Sequence, residues 1–193
     1  GSYSEAYAFD SLGRLSQQSV MADGTTYNVN LAYVATTGLL DTLEYPVSTS
    51  GYRLKLGYEY ANGQLKRVKH ISGTPVYWEA VSTDAWGHLQ DENFGNGVAT
   101  FTAFDPASGL MSYREGGVGG GTGLIHSLVD WDLNRNLSLR QDLKLSPSVT
   151  ENFYYDALNR FDYSQRNGTT NDDVTLNAIG NITWKQGIGN YTY

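Results

Sequence analysis

One nine-residue phrase governs what this chain can become. Phe153-Tyr154-Tyr155-Asp156-Ala157-Leu158-Asn159-Arg160-Phe161 returns near the other end as Tyr7-Ala8-Phe9-Asp10-Ser11-Leu12-Gly13-Arg14-Leu15. Looser copies run from Ala32 to Leu40, Tyr58 to Leu65, Ser82 to Leu89, Phe104 to Met111, Trp131 to Leu137 and Leu176 to Ile182, eight copies in all. Their turn positions fall at Gly13, Gly38, Gly63, Gly87, Gly109, Arg135, Asn159 and Gly180, in steps of 21 to 26 residues. A period in that range marks an array in which each unit completes its apolar layer only against its neighbours.

The unit is aromatic-x-aromatic-Asp-x-x-Gly-x-Leu, and each position has a physical reason. Alternating aromatics put large rings on one face of a strand. The Asp carboxylate accepts a hydrogen bond from the backbone two residues on, closing an Asx-turn. Gly or Asn at the end of the turn tolerates the positive φ of a tight hairpin. The Leu, Met, Phe or Ile that follows returns an apolar side chain to the buried face. Asn62-Gly63 is a two-residue hairpin signal, and Pro106 presets the first turn dihedral. Tyr7, Asp10, Gly13, Tyr58, Gly63, Gly87, Asp105, Gly109, Asp132, Tyr155, Asp156 and Gly180 are therefore read as structural residues of the repeat.

Second turns fall between the units, at Ala22-Asp23-Gly24-Thr25, Ser48-Thr49-Ser50-Gly51, Ser72-Gly73-Thr74-Pro75, Gly95-Asn96-Gly97 and Asn167-Gly168-Thr169. Each repeat then holds two or three short strands. Val129 to Leu145, with Leu at 133, 137, 139, 143 and 145, mixes helical and strand periods and reads as strand-turn-strand. The expected fold is all-β: stacked β-hairpin repeats in an antiparallel sheet. Residues 7–193 form a single array of about eight repeats, and residues 1–6 are tag or linker residues or an incoming edge strand.

Composition narrows the function classes. The 193 residues carry a net charge of -7 and no cysteine. Disulfide staples and thiolate metal sites are ruled out. An acidic chain is a poor partner for nucleic acid or anionic lipid, and the one basic run, Lys66-Arg67-Val68-Lys69-His70, alternates between strand faces. No apolar run is long enough to span a bilayer. The length suffices to bury a real core.

Candidates for chemistry are few. His70, His88 and His126 sit in different repeats without matching partners and read as strand or turn residues facing water. Gly116 to Gly123 lacks the Lys and the spacing of a phosphate cradle, and reads as a flexible linking loop. Asp130-Trp131-Asp132-Leu133-Asn134 opens like a calcium loop. It then places Arg135 where Gly is required and Gln141 where Glu is required. Trp78, Trp86, Trp131 and Trp184 recur in register with the tyrosines. They either stack into a ladder between repeats or present exposed rings to sugar faces. Asn136, Asn167, Asn181 and Asn190 head Asn-x-Ser/Thr sequences. No cofactor, metal site or catalytic residue is expected.

From about Tyr7 onward, the chain resembles the YD or RHS repeat family of bacterial polymorphic toxins, Tc toxin cocoon components and animal teneurins. The segments that carry the resemblance are Tyr154 to Phe161, Phe94 to Val98, Trp131 to Leu137, and Arg140-Gln141-Asp142 followed by Glu151-Asn152-Phe153. The resemblance implies stacked β-hairpin repeats forming a curved, spiralling antiparallel sheet, a hollow shell that encloses an effector in toxins and belongs to an adhesion protein in teneurins. The chain has too few repeats to close a large shell and lacks the segment that plugs its end, so self-cleavage is not carried over. The resemblance implies a non-catalytic scaffold, part of a secreted or cell-surface bacterial protein that encloses or presents another domain. Its partners would be the remainder of a larger parent chain or its effector domain. A carbohydrate- or receptor-binding adhesion module is the alternative. Open sheet edges favour edge-to-edge self-association.

Overall fold

The computed structural model describes residues 1–193. It contains no helix, and its 17 strands belong to one sheet in which successive strands run antiparallel. The strands fall into two compact units, one of residues 1–81 and 92–97, the other of residues 82–91 and 98–193. In the first unit lie β1 (Tyr3–Phe9), β2 (Leu15–Ala22), β3 (Thr25–Tyr33), β4 (Leu40–Glu44), β5 (Lys55–Ala61) and β6 (Gln64–His70). β7 (Val76–Thr83) and β8 (Leu89–Phe94) contribute residues to both units. The second holds β9 (Val98–Phe104), β10 (Met111–Val118), β11 (Ile125–Trp131), β12 (Leu137–Asp142), β13 (Val149–Tyr155), β14 (Phe161–Arg166), β15 (Thr169–Leu176), β16 (Ile182–Lys185) and β17 (Gly189–Asn190). Residues 3–6 thus lie in β1, paired with β2. The stretch from Val129 to Leu145 is strand, turn and strand, as its mixed period implied.

All eight turn positions adopt the left-handed backbone. The φ values are 77° at Gly13, 73° at Gly38, 80° at Gly63, 86° at Gly87, 72° at Gly109, 66° at Arg135, 58° at Asn159 and 91° at Gly180. Asn tolerates this region because its short polar side chain bonds locally; Arg135 occupies it at some cost in strain. Asp23-Gly24 and Asn167-Gly168 are two-residue hairpins with φ of 50° and 80° or close to it.

Beside the turns the ladders slip by one residue. Phe9 pairs with Leu15, Tyr33 with Leu40, Tyr60 with Leu65, Trp131 with Leu137, Tyr155 with Phe161 and Leu176 with Ile182, each next to a register shift. Phe104 pairs with Met111 beside another. An extra residue bends the strand and re-aims the side chain that follows. The extra residue lies on the strand after the turn, Asp41, Lys66, Ser138 and Asp162 among them, and the aromatic before the turn reaches the previous hairpin. Tyr33 Oη donates to the carbonyl of Leu15 (2.8 Å), Tyr60 Oη to that of Leu40 (2.9 Å) and Tyr155 Oη to that of Leu137 (2.9 Å). Trp131 Nε1 does the same to Met111 (2.7 Å). The aromatic before each of these turns is thus a polar-tipped link from one repeat to the one before it. The Arg14 guanidinium adds to this by lying 4.4 Å from the centroid of the Tyr33 ring.

Burial departs from the expectation of a sizeable core. No large side chain is fully buried, and Ala80, Val129 and Val174 are the buried hydrophobic residues. The apolar residues after the turns, Leu15, Leu40, Leu65, Leu89, Met111, Leu137, Phe161 and Ile182, are all half-buried. Tyr7 and Phe9, the rings of the first copy, are exposed. The physical reason is that within each unit the strands contact only their ladder neighbours, so apolar side chains stay partly accessible on both faces. Length alone cannot distinguish that arrangement from a packed sandwich.

The glycine run also departs from the flexible-loop reading. Gly116 and Gly117 are buried in β10, paired with Thr100 and Ala99 of β9. A Cβ on Gly116 would stand 2.8 Å from Thr100 Cγ2. Close approach of side chain and backbone, rather than mobility, accounts for these two glycines.

Candidate functional site

The turns are the most organised polar feature of the chain. In the copy at Asp156, the Asp156 amide donates to the Arg160 carbonyl (2.9 Å) and the Asn159 amide donates back to the Asp156 carbonyl (2.9 Å). Asp156 Oδ1 accepts the amides of Leu158 (2.8 Å) and Arg160 (3.0 Å), while Oδ2 accepts Arg160 Nε (2.7 Å). Four of the five amides from Asp156 to Arg160 are therefore bonded within the turn. The same scheme recurs at Asp10, Asp84 and Asp132. Asn177 reproduces its backbone part, accepting the amides of Ile179 and Asn181. Asp105 heads a turn one residue longer and binds Ser108 through amide and hydroxyl, 2.7 Å each. The Asx-turn is what the repeat unit predicts; the second amide and the side-chain donor four residues on are additions to it. That donor is Arg14, His88, Asn136 or Arg160, in the slot written only as x in Gly-x-Leu.

These contacts hold the carboxyls of all five turn aspartates below their ordinary value of 3.8. The leading cause is the Arg14 amide at Asp10, the Ser108 hydroxyl at Asp105, the Asn136 amide group at Asp132 and the Arg160 guanidinium at Asp156. At Asp84, loss of solvation is the largest single influence and pushes upward, but the bonds from the His88 ring, His88 amide and Trp86 amide together outweigh it. A carboxyl depressed by folding adds stability above its unfolded value, and that stability is lost as pH falls through the folded value. The melting temperature is expected to stay level from neutral pH to about 5 and to fall below about 4. Replacing Asp10, Asp84, Asp105, Asp132 and Asp156 by Asn, as nature has at Asn177, is expected to keep the fold at neutral pH and flatten the acid limb. An acid limb of undiminished slope in that variant would contradict this role.

With the turn aspartates engaged, the other candidates lose their chemistry. Asp132 lies beyond the end of β11 and opens the turn, so it is not a strand partner of Asp130. Both its oxygens are taken by the turn, and Asp130 Oδ1 accepts the Trp131 amide. The histidines are half-buried rather than facing water. His88 stacks on Phe104 (4.6 Å), His126 meets Tyr113 edge-on (5.9 Å) and His70 bonds Ser72 Oγ (2.7 Å). Two cations of the basic run are paired within their unit, Arg67 with Glu79 (2.6 Å) and Lys69 with Glu59, while Lys66 donates to the Ala80 carbonyl. A cleft of about 450 Å³ between β11, β12 and β13 is lined by charged groups including Arg140, Glu151 and Arg166. Arg140 spends two donors on Glu151 Oε2, at 2.8 and 2.6 Å.

The four tryptophans do different jobs. Trp78 is half-buried and donates to Glu92 (2.8 Å), Trp131 is the interrepeat link to Met111, and Trp184 is half-buried in β16. Trp86 alone among them stands exposed, at a turn tip. Ring contacts across strands are made instead by Tyr154 on Tyr163 (4.2 Å, nearly parallel) and by Phe101, Tyr113 and His126 in succession.

No protein-family model matches the chain, and no curated protein matches it in sequence. Solved structures do match it in fold. A chain in the crystal structure of TcdB2-TccC3-Cdc42 aligns with 98% of this chain at a TM-score of 0.60 and 14% identity. Chains of TcdB2-TccC3-TEV and of TcdB2-TccC3 without its hypervariable C-terminal region each align with 95%, at a TM-score of 0.57 and identities of 13% and 14%. In all three the aligned part is 10% of the solved chain, so this chain spans about a tenth of their length. At such identities the likeness is one of fold.

Proposed function

We propose that the chain is a stretch of wall: a non-catalytic scaffold within a YD-repeat shell of a larger toxin or cell-surface protein, secreted or surface-displayed, that encloses or presents another domain. The observation that carries this reading is the sheet of 17 strands in which no large side chain is fully buried. A free-standing domain of this size packs a second layer on its sheet; here that layer would be a neighbour or a cargo. The fold likeness to a tenth of much longer TcdB2-TccC3 chains supports it. So does the engagement of the turn carboxylates and of His88 in structural bonds. No helix is long and apolar enough to cross a membrane.

In the parent polypeptide, limited proteolysis is expected to leave an enclosed segment intact. Deleting one whole repeat, residues 132–155, is expected to expose it. Protection unchanged by the deletion would contradict the wall reading. The adhesion reading has one observation in its favour, the exposed Trp86 ring (66% accessible). Saturable quenching of its fluorescence by one class of sugar, abolished in Trp86→Ala, would replace the wall by a binding module.

A further inference from the structure

Turn tips are ordinarily polar. In this chain the two central residues after the turn Asp or Asn are Ser11-Leu12, Ala85-Trp86, Leu133-Asn134, Ala157-Leu158 and Ala178-Ile179. The large member is bare in every case: 73% exposed at Leu12, 66% at Trp86, 104% at Leu133, 67% at Leu158 and 83% at Ile179. The turn needs only a backbone N–H at these positions, so hairpin closure does not explain a large apolar side chain there.

In the second unit the turns stand in one row. His88 touches the turn of Gly109, since a Cβ on Gly109 would lie 3.2 Å from His88 Cε1. The turns of Asp105 and Asp132 flank one shallow cleft. Asn134 Nδ2 donates to Asn159 Oδ1 (2.9 Å), and Arg160 donates to the Asn177 carbonyl (2.9 Å). Adjacent turns are two strand spacings apart, about 10 Å. The result is a rim with apolar tips on three successive turns, Leu133, Leu158 and Ile179, and with Trp86 beyond the small tip Pro106-Ala107-Ser108 of the Asp105 turn.

We propose that this rim is an interaction surface whose partner is the same rim of a second copy of the chain, related by a two-fold axis. Three features select that partner. A like rim has the same ~10 Å period, so the tips of one enter the gaps of the other. The tips carry no charge at their two central positions, and the turn carboxylates are turned onto their own amides, so two acidic chains meet there without like-charge repulsion. Four tips expose several hundred Å² together, most of the ~800 Å² per partner that a standard interface takes. The contact is distinct from strand-to-strand pairing at a sheet edge and rests on the turn geometry, not on the enclosure reading.

Sedimentation velocity on the chain of residues 1–193 tests it. The wild type is expected to pass from 21.3 kDa toward twice that mass as concentration rises. The triple variant Leu133→Asp, Leu158→Asp, Ile179→Asp is expected to dimerise at least ~100-fold more weakly. Because these side chains stand in water in the single chain, circular dichroism and melting temperature of the variant are expected to be those of the wild type measured at monomeric dilution. A wild type that stays monomeric to its solubility limit would overturn the proposal. So would a folded triple variant that keeps the wild-type mass, or a dimer abolished by Asn190→Pro in β17 and untouched by the triple variant.

Discussion

Gly95→Val lowers stability by about 3 kcal/mol, a fall of roughly 6–12 °C in melting temperature. A Cβ at Gly95 would stand 2.4 Å from the Val76 carbonyl oxygen and 3.1 Å from Tyr77 Cα, both backbone atoms that no rotamer change can move. The Gly95 amide donates to the Tyr77 carbonyl at 2.8 Å, so separating the chains enough to admit the side chain also breaks that bond. Gly24→Ala is the control. Gly24 has a φ of 79° and nothing within 4 Å of a Cβ, so only backbone strain is added, about 1 kcal/mol. Equal losses from the two substitutions would show that the close approach at Gly95 costs no more than ordinary backbone strain.

The triple variant Tyr33→Phe, Tyr60→Phe, Tyr155→Phe is expected to lose a similar amount, also about 3 kcal/mol. Each hydroxyl donates to a carbonyl of the preceding hairpin at 2.8–2.9 Å, and a bond of this kind contributes about 1 kcal/mol net. The three share no partner, so their effects add. The rings and their apolar contacts remain, which confines the loss to the polar tips. Chemical denaturation should therefore show a lower midpoint and, because links between repeats are what is weakened, a broader transition. A midpoint within error of the wild type would mean that the tyrosines contribute through ring area alone.

Much of this was legible in the residues. Asp10, Asp84, Asp132 and Asp156 announce the Asx-turn, and Gly13 through Gly180 mark the left-handed positions, because both depend on neighbours a few residues away. What lay beyond reach depends on register. Tyr33 and Leu15 are 18 residues apart and meet across neighbouring hairpins, beside a ladder in which Asp41 is the extra residue. A period-two reading has no slot for the extra residue. The donors at Arg14, His88, Asn136 and Arg160 stood in plain sight, and a comparison of hydrogen-bonding capacity at that slot would have found them. Gly95 and Gly116 read as turn and loop glycines, whereas close approach by a neighbouring strand explains them. Leu133, Leu158 and Ile179 occupy positions that the repeat unit leaves open as x, and hairpin closure places no demand on them that would mark them out. Burial was overestimated at Tyr7 and Phe9 because alternation says which side chains share a face, not whether anything covers it.

Amide hydrogen exchange resolved to single residues tests the repeating turn most directly. In each of the five turns headed by Asp10, Asp84, Asp132, Asp156 and Asn177, every amide but the second is bonded within the turn. Fast exchange is expected at Ser11, Ala85, Leu133, Ala157 and Ala178, with measurably slower exchange at the amides on either side of each. Slow exchange at those five positions, or protection that runs unbroken through them, would contradict the account.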